Sequence, residues 1–249
     1  MIMFNLKRLL PVVLLLFGMA TGCRQAQNVQ QTGMEEDRTG WNTLTAEEAA
    51  AGWKLLFDGK TVDAWRGFKQ EGLPKGWVAD NGTLYFTGDG GGDIISKEAY
   101  ESFEMSLDWK ISEGGNSGIF FHVIEEGDAV YSSGPEMQVL DNERHPDARA
   151  GLNRTAGANY DLHAPAKDVV HPAGEWNSVR LVVDGPHVEH WLNGEKIVEY
   201  ELWSDDWEAS VAASKFNEMP LYGRAPSGHL ALQDHGNPVW FRNIKVRRR

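Results

Sequence analysis

Glu136-Met137-Gln138-Val139-Leu140-Asp141 sets two acids and an amide within one short run. On a strand, alternate side chains share a face. Met137 and Val139 would then face a core, and Glu136 and Gln138 would point out together. A bulge at Leu140-Asp141 would turn Asp141 toward the same cleft. Two carboxylates and an amide on one strand face suit acid–base work on a glycosidic bond. In Asn116-Ser117-Gly118-Ile119-Phe120-Phe121-His122-Val123, the parity puts Ile119, Phe121 and Val123 inward and His122 outward with Phe120. Tyr160 and Lys167 flank Pro165 in a loop, where they could donate to a sugar oxygen or an enolate. His190 shares a face with Leu192 and could serve either the ligand or the sheet. In Leu232-Gln233-Asp234-His235, Gln233 points away from the core and Asp234 could fix the tautomer of His235. Each segment also has a plain structural reading, as a wet strand face, a polar loop or a turn.

These residues need strands to position them. Phe103, Met105, Leu107, Trp109 and Ile111 alternate with polar residues, the period of a half-buried strand. Asp80-Asn81-Gly82, Asp184-Gly185 and Asn193-Gly194 are hairpin turns between apolar runs. Thr45-Ala46-Glu47-Glu48 is a capping box, so a short helix over 46–51 is expected. A second helix is expected over 207–216, ahead of Pro220. Many short strands with Gly-rich turns give an all-β sandwich or jelly roll over 43–249. The Gly-rich run 88–92 reads as a turn, because no helix follows it to bind phosphate. Metalloprotease, Walker and nucleophile-elbow motifs are absent from the sequence.

Composition narrows the choice. The chain has 249 residues, ten tryptophans, one cysteine and a formal net charge of −12. One cysteine excludes an intrachain disulfide framework. The acidic balance argues against nucleic acid as a partner. Lys7-Arg8, an apolar run over 9–19, and Ala20-Thr21-Gly22-Cys23 resemble a bacterial lipobox. Residues 1–22 would be a signal peptide and Cys23 the lipidated N-terminus. Residues 23–42, rich in Gln, Thr and charge, would be a flexible tether. Losing Lys7 and Arg8 takes the formal charge from −12 to −14. The expected location is the cell envelope, anchored to a membrane.

Several stretches carry a resemblance to a known family. Gly52-Trp53-Lys54-Leu55-Leu56-Phe57-Asp58-Gly59, GNSGIFFHV (115–123), PEMQVLDNERHPDA (135–148), YDLHAPAKDVVHPAGEWNSVRLVV (160–183), VEHWLNGEKIVEYEL (188–202) and GHLALQDHGNPVWFRNIKVR (228–247) all resemble motifs of the bacterial 3-keto-disaccharide hydrolase family. The likeness covers nearly all of 52–248. It implies a concanavalin A-like jelly roll and a carbohydrate substrate, a glycoside already oxidised at sugar carbon 3. The ketone acidifies the hydrogen on carbon 2, so a base can start elimination of the group on carbon 1, and water can then add. On this reading Glu136 or His235 is the base. Asp141 or His122 is the acid or a metal ligand. Gln138, Gln233, Tyr160, Lys167, Asn116, His190 and Asp234 position sugar and enolate. A divalent metal is an alternative stabiliser, with Glu136, His122 and His235 as candidate ligands for Mn or Zn, whereas calcium would prefer oxygens such as those of Asp141. Trp65 or Trp240 could stack on a sugar ring. The run at 136 also echoes the Glu-x-Asp-x-x-Glu strand of laminarinase-type glycosidases, with Gln138 and Asp141 in place of its second and third acids. An ordinary glycosidase and a noncatalytic sugar-binding module are the competing readings.

Overall fold

The computed structural model describes residues 40–249. Cys23, the signal-peptide reading and nearly all of the tether lie outside these residues. In chain order the elements are α1 (Ala46–Ala50), β1 (Lys54–Leu55), β2 (Trp65–Gly67), β3 (Trp77–Asp80), β4 (Thr83–Phe86), β5 (Ile94–Tyr100), β6 (Phe103–Ile111), β7 (Asn116–Val123), β8 (Glu136–Leu140), α2 (Asp147–Ala150), β9 (Asn177–Asp184), β10 (His187–Leu192), β11 (Glu195–Glu201), α3 (Asp205–Ala213), β12 (Gly228–Leu232) and β13 (Val239–Arg248). The larger sheet has the order β11-β10-β9-β6-β13-β4-β3, with β1 beside β13. The smaller has the order β2-β5-β12-β7-β8. The pairings within both are antiparallel. The two sheets form the expected β-sandwich.

Period-two patterning builds the core between them. Phe103, Met105, Leu107, Trp109 and Ile111 of β6 meet Ile119 and Phe121 of β7, Met137 and Val139 of β8, and Leu230 and Leu232 of β12. Burying each such side chain stabilises the fold by roughly 1.5–3 kcal/mol. Thr45 and Glu48 close the expected capping box on α1. The second expected helix forms as α3, capped by Ser204.

The alternation fails at two places, and both move a candidate residue. His122 has φ +53°, a left-handed conformation that costs a non-glycine residue energy. It makes a bulge: Val123 pairs with His229 while Phe120 pairs with Ala231. Val123 thereby joins Phe120 on the outer face, and the His122 ring packs edge-on to Phe103 and Phe121. Gly228 crosses so close to this bulge that a Cβ would overlap the His122 backbone. At the end of β8, Leu140 joins the core directly after Val139, and the chain turns at Asp141.

Candidate active site

The outer face of the smaller sheet carries the cavity. Glu136 and Gln138 project from β8, Asn116 from β7, and Gln233 and His235 from the stretch after β12. Asp147, Tyr160 and Lys215 complete its lining. Gly118 leaves room for the acid, since a Cβ there would overlap the Glu136 carboxylate. The loop after β8 folds back as an added edge. Gly157 N–H donates to Gln138 O at 2.8 Å, Gln138 N–H to Ala158 O at 3.0 Å, and Tyr160 N–H to Glu136 O at 3.0 Å. Backbone pairing therefore sets Tyr160 beside Glu136.

Glu136 is the most perturbed acid of this cavity. Its residue is 5% exposed. Burial pushes its pKa up to about 8, opposed by the positive charge of Lys215. Lys215 follows α3, and its backbone N–H donates to Asp161 at 2.8 Å. The residue as a whole is exposed, yet its ammonium leans inward, 4.2 Å from the centroid of the Tyr160 ring. Burial of that ammonium pulls its pKa below the usual lysine range, while attraction to Glu136 pulls it back up. The Tyr160 hydroxyl donates to Asp147 Oδ2 at 2.9 Å. Burial and Asp147 raise the Tyr160 pKa well above that of an ordinary tyrosine. Asn116 Oδ1 is buried without a partner, and its Nδ2 lies 3.5 Å from His235 Nε2. The His235 ring meets His145 edge-to-face at 6.1 Å. An acid of raised basicity, an ammonium, a phenol, an imidazole and amides thus converge on one small polar space. Such a set can move a proton and stabilise a developing oxyanion.

The cavity gathers Glu136, Gln138, Tyr160, Gln233, Asn116 and His235 from the sequence candidates. It does not gather the others. Asp141 accepts from the N–H groups of Gly114, Glu143 and Arg144. Burial would raise its carboxyl, but these bonds outweigh burial and hold its pKa low. It anchors a turn. His122 is buried, its Nε2 is 2.8 Å from Glu101 O, and burial lowers its pKa. His190 faces the core from β10, 2.9 Å from Gly157 O, and burial lowers its pKa to about 4. Lys167 pairs with Glu195 at 2.6 Å on the surface. Asp234 accepts from the N–H groups of Gly92 and Gly236, fixing the loops behind His235. Trp240 stacks on Tyr85 at 4.8 Å on the larger sheet, and Trp65 is buried with its indole N–H on Leu56 O. Of the candidate metal ligands, only Glu136 and His235 share the cavity. Among the described residues, the acid–imidazole cluster with closely grouped ligand atoms is His187, Glu189 and Glu199. Lys196 already bridges Glu189 and Glu199 there.

Asp147 and Lys215 were not among the sequence candidates. Asp147 starts the short helix α2 in the loop after β8, and Lys215 lies far along the chain, beyond α3. No local spacing links either residue to Glu136.

This cavity on a sandwich face is the arrangement of a carbohydrate-cleaving enzyme, and comparison with known proteins agrees. The family described as the 3-keto-alpha-glucoside-1,2-lyase-like domain matches residues 52–247. A 3-keto-disaccharide hydrolase of Bacteroides thetaiotaomicron is 38% identical over 228 residues, 80% of this chain and 79% of that protein. A candidate glycosyl hydrolase of solved structure from Parabacteroides distasonis is 36% identical with a TM-score of 0.76, covering 83% of this chain and 98% of that one. A second from the same organism is 28% identical with a TM-score of 0.63, covering 79% and 99%. The chain belongs to the 3-keto-disaccharide hydrolase family and is a glycoside-cleaving hydrolase.

Proposed function

We propose that this enzyme cleaves glycosides that carry a ketone at sugar carbon 3, and that it does so by elimination. The inward-leaning ammonium of Lys215 carries the reading. Ordinary glycoside hydrolysis passes through a cationic, oxocarbenium-like transition state, which an inward-leaning ammonium opposes. Elimination passes through an anionic enolate, which the same ammonium favours. Lys215 leans over Tyr160 toward buried Glu136.

Glu136, once ionised, takes the carbon-2 proton. The C–H electrons form the carbon-2/carbon-3 double bond of the enolate, and the negative charge on its oxygen faces Lys215 and Tyr160. The enolate then re-forms the ketone and expels the group on carbon 1, whose oxygen receives a proton from His235. The product is an enone with a carbon-1/carbon-2 double bond. Adding water, hydroxyl to carbon 1 and hydrogen to carbon 2, gives net hydrolysis. Asn116, Gln138 and Gln233 supply amides for the sugar hydroxyls, and the unpartnered Asn116 Oδ1 is a ready acceptor.

The direct test incubates the protein with an aryl glucoside and with its 3-keto form, with and without chelator. Release from the keto form alone supports the proposal. Release from the unoxidised glucoside favours an ordinary glycosidase, and binding without turnover a sugar-binding module.

We further propose that Cys23 carries a lipid anchor that tethers the enzyme to a membrane of the cell envelope. The motif around Cys23 and the Gln-rich, charged stretch that follows it support this. Cys23→Ser should then shift the protein from the membrane to the soluble fraction.

A further inference from the structure

Lys215 reaches the cavity from a segment outside both sheets, so its ammonium has to be aimed. Its chain neighbours are well held. The Ser214 hydroxyl donates to Val211 O at 2.9 Å, and buried Phe216 stacks on Tyr222 at 3.9 Å. The hydrogen bond to Lys215 itself comes from Asp161, the residue after Tyr160. Asp161 has φ +64°, a left-handed conformation that a non-glycine residue adopts at a cost. Its backbone N–H donates to Asn153 O at 2.8 Å. Its side chain is 9% exposed, and both carboxylate oxygens are engaged. Oδ1 accepts from Arg154 Nε at 2.8 Å and lies 2.7 Å from the same guanidinium's Nη2. Oδ2 accepts from the Lys215 backbone N–H at 2.8 Å. Arg154 also stands 5.7 Å from the Tyr160 ring centroid, and the Lys215 ammonium 4.2 Å. Two cations thus share one phenol ring, and Asp161 is bonded to both residues that carry them.

We infer that Asp161 is a positioning residue: its carboxylate ties Lys215 to the Tyr160 loop and so holds the ammonium over the Tyr160 ring, toward Glu136. The inference rests on the elimination reading above for what that ammonium does. Asp161 itself is outside the cavity lining and touches no reacting atom. Each of its oxygens serves a different donor, so an amide of the same shape cannot replace it. Asparagine has one acceptor oxygen and turns an NH2 on the other donor. The charged guanidinium makes the stronger bond and keeps the oxygen. The Lys215 N–H then faces an NH2, and its chain must shift. Ser214 and Phe216 keep the segment folded while the ammonium moves away and the enolate loses a stabilising charge.

The test uses Asp161→Asn, Lys215→Met and the double variant. The first readout is structural. Lysines are reductively dimethylated with 13C-formaldehyde, and the Lys215 resonance is assigned by its loss in Lys215→Met. In the wild type it should be displaced by the Tyr160 ring current and should titrate below the usual lysine range. In Asp161→Asn it should move to the position of an ordinary surface lysine; an unchanged resonance overturns the proposal. The second readout is kinetic, on a 3-keto-glycoside. Asp161→Asn should lower kcat about tenfold, keep KM within a factor of about two, and move the rising limb of the pH profile upward. Asp93 and Asp147 also act on Glu136, and the variant leaves both in place. Loss of the Asp161 charge alone would leave Arg154 unopposed and move that limb downward, so a downward shift overturns the proposal. In the Lys215→Met background the same substitution should cost less than about twofold. A tenfold loss in both backgrounds would mean that Asp161 acts through the fold and not through Lys215. If the wild-type protein leaves the keto substrate intact, the elimination reading fails, while the Lys215 resonance still decides whether Asp161 aims the ammonium.

Discussion

The two outer faces of the sandwich both carry aromatic and charged side chains, but they use them differently. On the larger sheet the charges shown are paired. Arg242 lies 4.0 Å from the ring centroids of both Trp41 and Trp176. Buried Glu104 is held by Arg180 and Arg247. Asp108 receives Ser178, Arg242 and Asn243. On the smaller sheet no donor reaches the Glu136 carboxylate among the described residues, and Asn116 Oδ1 is also unpartnered. A satisfied network contributes stability, and an unsatisfied buried group costs it. The larger sheet therefore reads as scaffold, and the smaller carries groups kept ready for a ligand.

Mutations should separate the two faces. Glu136→Gln should lower kcat/KM on a 3-keto substrate by about 10³-fold or more with the fold intact; kinetics and circular dichroism on one preparation check both. Wild-type kcat/KM should rise with pH through about 8, as Glu136 ionises. It should fall again where Lys215 loses its proton, below the usual lysine range. A decline through pH 8 would instead make Glu136 the acid. Lys215→Met should cost about 10²-fold and move the rising limb to higher pH, because it removes the charge that holds the Glu136 pKa down.

Glu104→Gln, on the scaffold face, should cost about 1–3 kcal/mol of stability in urea unfolding and leave the kinetics alone. Asp141→Asn should behave like Glu104→Gln, since its oxygens serve the turn; a large kinetic loss would return Asp141 to the mechanism. The last effect concerns Glu136 itself. Folding raises its pKa, so the folded protein keeps a proton that the unfolded chain has lost. Stability from this group falls as pH climbs from the ordinary carboxylate range toward 8. Glu136→Gln should accordingly raise Tm, with the gain growing over that window. A gain that is flat with pH would contradict the raised pKa.

Much of this contrast was legible in the sequence. Alternation alone put Glu136 and Gln138 on one face of β8, and Gln233 opposite Leu232. The same rule misplaced His122, because a single left-handed residue reverses parity and nothing in GNSGIFFHV announces it. It paired His190 with Leu192 correctly but did not say that this face is the core. Asp141 looked free because its partners are backbone N–H groups, which every residue has. Lys215 was hidden for another reason. It reaches the cavity only through the packing of α3, and long-range packing leaves no local spacing. Trp240, offered as a sugar platform, lies on the scaffold face against Tyr85 and Lys110.

The central claim is that carbon 2 loses its proton before the glycosidic bond breaks. Turnover of a 3-keto-glycoside in deuterated water, with the released sugar analysed at once by mass spectrometry and NMR, tests it directly. Elimination followed by hydration should place one deuterium at carbon 2 of the product. A reaction that stops at the enone should show the conjugated ultraviolet band instead. Aglycone release that leaves the original hydrogen on carbon 2, in a saturated product, would contradict the account.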